Sequence, residues 1–399
     1  MTDTLERPTI SEADEQALLD SIDRWLVKKV APVAATYEQA DEYPTELVHD
    51  MCEMGLFGAL IEPQWGGLGL PAITYSKIVA RISEEWMSLT GFFNSHLMMA
   101  LIVQKFGTEK QKAHWLPRFA TGELRGGLGL TEADAGTDLQ GIRTLARRDG
   151  DDYVVDGAKL WITNSIEGDI LALLVKTDPE AKPRHRGMTM LITPTRDPQT
   201  KAELPGVQRG RKLPKLGYRG IDTGEIGFSG YRCAAELCLV GGEEGKGFVM
   251  ATGGLEIGRV NVAARGVGIA RRALKESVAY AQVRKTMGKP IAEHQAIQLK
   301  LGEMASKTRA AELMVDDAAR AYDSGRRVDL EAGMAKWFAT ETAAEVAGEA
   351  MRIFGANGYS KEYPIERLYR DAPLLIIGEG TNEMQRIIIA RRLIERYPV

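Results

Sequence analysis

The spacing of apolar positions along the chain first predicts where helices form. Ser11 is a candidate N-cap, and the apolar residues that follow it share one helical face: Leu18, Leu19, Ile22, Leu26 and Val27. Residues 98–106 and 110–119 continue the helical spacing. We therefore expect an N-terminal all-α domain over residues 1–123.

The pattern changes in residues 124–242. Short apolar runs at 170–175 and 188–192 favour buried strands, and several prolines separate the runs with loops. The pair Asp156-Gly157 stands between two β-prone runs, which predicts a hairpin turn. This zone is expected to form a middle β-domain.

Residues 243–399 return to helical spacing and contain few prolines. Apolar and small residues again recur on one helical face: Ile297, Leu301, Met304, Ala305, Thr308, Ala311 and Val315. We expect a C-terminal helical bundle here. The order of helices, strands and helices predicts a mainly α protein with a central β-domain.

Composition and charge narrow the function. The 399 residues are 44% hydrophobic and 27% charged, with a net charge of −4, which does not suit a nucleic-acid-binding protein. No apolar run is long enough to span a membrane, and the N-terminus resembles no targeting peptide. Three cysteines are too few for a disulfide framework, and we expect reduced thiols in a cytoplasmic protein.

Two glycine-rich segments look like nucleotide-binding motifs but depart from them. The segment 266–271 begins like a dinucleotide fingerprint, but Arg271 replaces its third glycine and the preceding residues predict a helix. The segment 241–246 lacks the spacing of a phosphate-binding loop, so we expect a turn before a helix. The five histidines are scattered, so the sequence predicts no metal site.

Five further segments each carry a weak functional signal. Small residues at 128–138 would let a ligand approach the backbone, and 161–164 ends a predicted strand. Residues 284–289 combine cations with a helix end, and 353–358 form a glycine-containing break. In the fifth segment, 377–386, Glu379 stands between two glycines just before a predicted helix.

Taken in order, these five segments resemble the acyl-CoA dehydrogenase family over nearly the full length of the chain. The resemblance implies an N-terminal helical domain, a middle β-barrel and a C-terminal four-helix bundle. It also implies bound FAD and a homotetramer built as a dimer of dimers. Electron-transferring flavoprotein is the electron acceptor that the resemblance implies.

The resemblance also implies which residues hold FAD. Thr131 would lie at the pyrimidine side of the flavin, Thr163 near its reactive N5 and Trp161 over its rings. Arg284 and Thr286 would hold the pyrophosphate of a flavin bound to the neighbouring subunit. Gln295 and residues 352–356 would face its adenosine half, again across the interface. The implied cofactor residues are Leu128, Leu130, Thr131, Thr137, Trp161, Thr163, Arg284, Thr286, Met287, Gln295, Arg352, Ile353, Ala356, Thr381 and Glu383.

Glu379 is the implied catalytic base, which would remove the α-proton of an acyl-CoA thioester while the β-hydrogen leaves as hydride to the flavin. Some members place the base immediately before the equivalent of Arg259, where this chain has Gly258, so the role falls to Glu379. The implied substrate-binding residues are Thr137, Glu256, Arg259, Gly378, Gly380 and Arg391.

Alternatives remain open within the same fold. An acyl-CoA oxidase or flavin monooxygenase is the main rival, and a flavin-containing binding protein without activity is another. Residues 86–96, which match the segment that binds a distal carboxylate in glutaryl-CoA-type enzymes, contain no Arg or Lys, so the sequence disfavours dicarboxylic substrates. Gly378 replaces a tyrosine of straight-chain enzymes, either to allow a backbone angle or to make room for a bulky acyl group.

Overall fold

A computed structural model describes residues 9–399, apart from the side chains of residues 254 and 255. Residues 1–8, which belong to the N-terminus that was compared with targeting peptides above, lie outside the described residues. Within residues 9–399, no helix is long and apolar enough to cross a membrane.

The first zone is helical, as predicted. Ser11 caps the first helix, and its hydroxyl accepts a hydrogen bond from the backbone N–H of Asp14 at 3.1 Å. One π-helical turn, Leu26–Val30, follows that helix. The α-helices are α1 (Glu12–Trp25), α2 (Ala34–Ala40), α3 (Thr45–Glu53), α4 (Ala72–Trp86), α5 (Ser88–Phe106) and α6 (Glu109–Ala120).

The middle zone forms one curled seven-stranded sheet with its own apolar core. The strands are β1 (Gly126–Gly129), β2 (Leu145–Asp149), β3 (Asp152–Thr163), β4 (Ile170–Lys176), β5 (Met188–Pro194), β6 (Val207–Lys212) and β7 (Thr223–Ala234). Their order is β1-β4-β2-β3-β7-β6, and β5 pairs with β4. The pairs β1–β4 and β2–β4 are parallel, and the others are antiparallel.

The predicted hairpin at Asp156-Gly157 is wrong. Strand β3 continues through both residues, and its register with β7 shifts between Val155 and Gly157. Gly157 has a φ of 141°, and a Cβ there would lie 2.7 Å from the Cα of Thr144. The glycine therefore serves a β-bulge and a close strand approach, which share the sequence signature of a turn.

The third zone is a helical bundle built around one long helix. A short helix, α7 (Ala235–Cys238), ends the middle zone. The elements of the third zone are α8 (Gly247–Val283), the short pair β8 (Lys285–Thr286) and β9 (Lys289–Pro290), α9 (Gln295–Asp323), α10 (Asp329–Phe354), α11 (Ile365–Ile377) and α12 (Asn382–Arg396). Helix α8 packs against α4 and α5 on one side and against α9 and α10 on the other. Added Cβ atoms at Gly266 and Gly268 would lie 2.7 and 2.4 Å from backbone oxygens of α10 and α4, so these glycines permit close helix packing.

Candidate active site

Glu379 lies in a tight turn between α11 and α12. Its φ of 53° is uncommon for a residue other than glycine, and Gly380 beside it has a φ of 85°. The buried Lys336 of α10 holds this turn by donating hydrogen bonds to Ile376 O (3.1 Å), Gly380 O (3.0 Å) and the Asn382 side chain (2.8 Å). These three bonds fix the position of the carboxylate between the two helices.

The two oxygens of the Glu379 carboxylate have different surroundings. Oε1 accepts a hydrogen bond from Asn94 Nδ2 at 2.8 Å, whereas Oε2 is buried and has no partner among the described residues. Burial raises the pKa of Glu379 above its ordinary value. The charge of Arg265, the Asn94 hydrogen bond and the charge of Lys336 act in the opposite direction. One oxygen is thus anchored, and the other is free to accept a proton.

Gly258 of α8 makes room for this free oxygen. A Cβ at position 258 would lie 2.2 Å from Glu379 Oε2 and 2.6 Å from the sulfur of Met98. Any side chain at 258 would therefore displace the carboxylate. Positions 258 and 379, the two at which the resemblance implies a base, therefore lie side by side, and Glu379 is the one that carries a carboxylate.

A buried chain of hydrogen bonds leads away from Asn94. It was not predicted from the sequence. Asn261 Nδ2 of α8 donates to the Tyr75 hydroxyl at 2.8 Å, and that hydroxyl lies 3.4 Å from Asn94 Oδ1. All three side chains are buried. The available signal was a polar residue inside an apolar helical run, as in Phe92-Phe93-Asn94.

A second group of predicted residues surrounds the end of β3. The backbone N–H of Leu160 donates to Thr131 O at 2.9 Å, which places the loop after β1 against this strand. Trp161 has a φ of 64° and a side chain that is 56% exposed. The Asn164 side chain donates to Phe92 O at 3.0 Å and to Gly126 O at 2.9 Å. The strand end is therefore joined to α5, two residues from Asn94.

This strand end has the features of a site for a flat, polar ligand. Trp161 presents an exposed aromatic ring in an uncommon backbone conformation. The hydroxyls of Thr131 and Thr163 make no hydrogen bond within the part of the chain that the structure describes. These residues fit a flavin ring, which needs both a stacking surface and hydrogen-bond donors.

Three domain models of one family match the chain in sequence order. The acyl-CoA dehydrogenase N-terminal domain matches residues 12–123, the middle domain residues 127–231 and the C-terminal domain residues 245–394. The chain belongs to the acyl-CoA dehydrogenase family. It is an oxidoreductase acting on a CH–CH group, and the members of its family are FAD flavoproteins.

Individual proteins agree with this assignment. The chain is 37% identical to (2S)-methylsuccinyl-CoA dehydrogenase of Cereibacter sphaeroides, over 95% of this chain and 69% of that protein. It superposes on butyryl-CoA dehydrogenase from Megasphaera elsdenii with a TM-score of 0.90 and 33% identity, covering 97% of this chain and 99% of the other. The same values describe a chain from a study of the electron transferring flavoprotein of Acidaminococcus fermentans.

The acyl-CoA dehydrogenase residues expected to reach a neighbouring subunit lie far from Glu379. Arg284 follows the last residue of α8, about 39 Å along the helix from Gly258. Thr286 and Met287 are exposed on the β8–β9 turn, where the Met287 side chain is 95% exposed. Gln295 begins α9 and is also exposed. One chain therefore does not bring these residues to the Glu379 site.

Other predicted cofactor residues of this acyl-CoA dehydrogenase differ in what they can offer a ligand. Arg352 is exposed and pairs with Glu349, and Ala356 is exposed in the turn after α10. Ile353 packs its side chain into the core, so only its backbone could contact FAD. The Thr381 hydroxyl caps α12. Glu383 is exposed and pairs with Arg386.

The residues predicted to bind the CoA side of the substrate also differ in their burial. Arg259 is buried, and its Nη1 lies 3.3 Å from the Asp329 carboxylate. Burial, followed by the charge of Asp329, raises the pKa of the neighbouring Glu256. Thr137 and Arg391 are exposed. The internal ion pair of Arg259 and Asp329 was not expected from the sequence.

Gly378 does not need the conformational freedom of glycine. Its φ of −75° and ψ of 152° are open to any residue, which removes the backbone-angle explanation. A Cβ there would meet only Leu374, at 3.1 Å from its backbone oxygen and 3.9 Å from its Cδ1, among the described residues within 4 Å. Apart from the close contact with the Leu374 backbone oxygen, the absence of a side chain at 378 leaves space beside Glu379.

Proposed function

We propose that this chain oxidises an acyl-CoA thioester to the trans-2-enoyl-CoA with Glu379 as the general base. The observation that carries the proposal is the buried carboxylate, with one oxygen anchored by Asn94 and the other free beside Gly258. FAD, when bound, supplies the acceptor for the hydride that leaves the β-carbon. The strand end at Trp161 and Thr163 suits its ring system.

The carboxylate meets the physical requirements of this chemistry. The α-hydrogen of a thioester is a weak acid, so the base must be aligned and poorly solvated. Burial raises the pKa of Glu379, which strengthens it as a base once it is ionised. The backbone N–H of Glu379 would polarise the thioester oxygen as the α-proton moves to the carboxylate.

Replacing the base tests this function. Glu379→Gln keeps the size of the side chain but cannot accept the proton, so anaerobic flavin reduction by acyl-CoA should fall by about 10²–10⁴-fold or more. FAD and acyl-CoA binding should persist. Glu395→Gln, at an exposed position of α12, is the matched control. Near-normal flavin reduction in Glu379→Gln would refute the assignment.

The oligomer and the electron acceptor form a second part of the proposal. The distance between Glu379 and the cluster at Arg284–Gln295 supports a flavin held by two subunits of a homotetramer. The likeness to a chain from a study of an electron transferring flavoprotein supports that class of protein as the acceptor. Sedimentation should give a tetramer with bound FAD. Rapid reoxidation of the substrate-reduced enzyme by air, with no response to electron-transferring flavoprotein, would favour the oxidase alternative.

The open space at Gly378 supports an acyl group that is branched or cyclic near the thioester. The methylsuccinyl group in the name of the Cereibacter sphaeroides relative carries such a methyl branch. Straight acyl chains should still react, because a missing methyl group costs only about 1–3 kcal/mol in a pocket of this kind. Anaerobic titration with a panel of straight and branched acyl-CoAs, following flavin bleaching, tests this preference.

A further inference from the structure

A stripe of three α8 residues runs inward from the catalytic carboxylate. Gly258, Asn261 and Arg265 are spaced by three and four residues, so they share one face of the helix. On α5, Met98, Asn94 and Thr90 face this stripe in the opposite direction. The stripe begins at Gly258, beside Glu379, and ends at Arg265, about 10 Å further along α8.

Arg265 is a buried cation without an anionic partner. Its side chain is 4% exposed, and no carboxylate of the described residues lies within 4 Å of its guanidinium. Nη1 is 3.4 Å from the Tyr218 hydroxyl and Nη2 is 3.5 Å from Thr90 O, which are long contacts with neutral groups. Nε has no partner among the described residues. The buried Arg259, in contrast, pairs with Asp329.

An unpaired buried charge is strongly unfavourable unless an opposite charge joins it. The Cα–Cβ bonds of a helix tilt toward its N-terminus, and along α8 that is the direction from Arg265 to Gly258. Its charge acts on Glu379 more strongly than the charges of Lys336 and Arg259 do. A guanidinium also matches the two oxygens of a carboxylate. The guanidinium of Arg265 and the carboxylate of Glu379 therefore lie at opposite ends of the same stripe of α8.

We propose that Arg265 binds a distal carboxylate of the acyl group, so that this enzyme acts on short dicarboxylic acyl-CoA thioesters. The inference rests on the proposed function and specifies its substrate class. The sequence argument against dicarboxylic substrates considered only residues 86–96. Arg265 comes from the opposite helix, yet its guanidinium lies against Thr90 of that same segment.

Matched substrates give the direct test. Glutaryl-CoA and succinyl-CoA are compared with 5-methylhexanoyl-CoA and 4-methylpentanoyl-CoA, in which an isopropyl group replaces the carboxylate. The wild-type tetramer with FAD should show a higher kcat/KM for each dicarboxylic member. Arg265→Met should lower kcat/KM for the dicarboxylic substrates by about 30-fold or more, while the hydrocarbon partners stay the same or improve.

Two further variants separate binding from a structural role. Arg265→Lys keeps the charge and should retain part of the dicarboxylic preference. Arg367→Met removes another buried arginine with an unpartnered Nε, remote in sequence from the stripe, and should leave the preference unchanged. If Arg265→Met does not fold, the comparison of dicarboxylic and hydrocarbon substrates with the wild-type enzyme still tests the proposal.

Each negative outcome would refute a different claim about the enzyme. A wild-type enzyme that prefers the hydrocarbon partners would overturn the role of Arg265 and leave the proposed function intact. An equal loss on both substrate classes in Arg265→Met would make Arg265 only a counter-charge for Glu379. No flavin reduction by either class, with FAD bound, would refute the proposed function and this inference with it.

Discussion

Asn94 gives the sharpest prediction about Glu379, because it makes the single hydrogen bond that anchors the carboxylate within the described residues. Its Nδ2 lies 2.8 Å from Glu379 Oε1, and Asn94 itself is 2% exposed. The Asn94→Ala substitution removes this donor without adding a charge. Since the bond favours the ionised form of Glu379, its loss should raise the pKa of the carboxyl further above its ordinary value.

The size and sign of the effect follow from this bond. A hydrogen bond to a charged group contributes about 1.5–3 kcal/mol, which corresponds to roughly 10- to 100-fold in the fraction of ionised Glu379. The proposed reaction needs the ionised form of Glu379, so its rate should rise as pH increases through the pKa of this carboxyl. Asn94→Ala should therefore be roughly 10- to 100-fold slower on the acidic limb and approach the wild-type rate at high pH.

The assay is the pH dependence of kcat/KM for flavin reduction, which gives the pKa values of the essential groups in the free enzyme. Tyr75→Phe is the graded control, because it removes only the next hydroxyl in the chain, 3.4 Å from Asn94 Oδ1, and should shift the profile less. A loss that is equal at every pH would show that Asn94 supports only the packing of α5. An unchanged profile would show that its bond to Glu379 has no energetic role.

Three other substitutions test neighbouring parts of the site. Gly258→Ala should push Glu379 aside and lower flavin reduction by about 100-fold or more, unlike Gly302→Ala, whose added Cβ meets nothing within 4 Å. Lys336→Met should leave the acceptors of the Glu379 turn unpaired and lower the melting temperature, whereas Lys361→Met at the surface should not. Gly378→Leu should remove activity on branched acyl-CoAs and spare butyryl-CoA. An equal loss on both would contradict the inference that Gly378 makes room for a branched acyl group.

Much of the fold was predictable because its signals are local. Helical spacing located the bundle, and apolar runs located β4 and β5. The hairpin predicted at Asp156-Gly157 was wrong because a β-bulge and a hairpin turn favour the same residues. Only the pairing of the strand with β7 distinguishes them. Glycine at 378 was ambiguous for a similar reason, since sequence does not reveal φ.

The group of buried polar side chains beneath Glu379 was not predictable, because its residues come from separate helices. Asn94, Asn261 and Arg265 each look like an isolated polar residue in a helical run. Their roles appear only when α5 and α8 pack face to face. Only residues 86–96 of the sequence were searched for a cation, so Arg265 on the other helix was not considered.

The proposed contact of Arg265 with the substrate would also link substrate binding to the basicity of Glu379. In the free enzyme its positive charge opposes the rise that burial causes in the pKa of Glu379. A substrate carboxylate paired with Arg265 would neutralise this charge, so the pKa of Glu379 would rise and the ionised carboxylate would become a stronger base. The pH dependence of kcat, which reports the substrate complex, should therefore lie at higher pH for glutaryl-CoA than for 5-methylhexanoyl-CoA. Identical profiles would show that the charge of Arg265 is not neutralised when the acyl group binds.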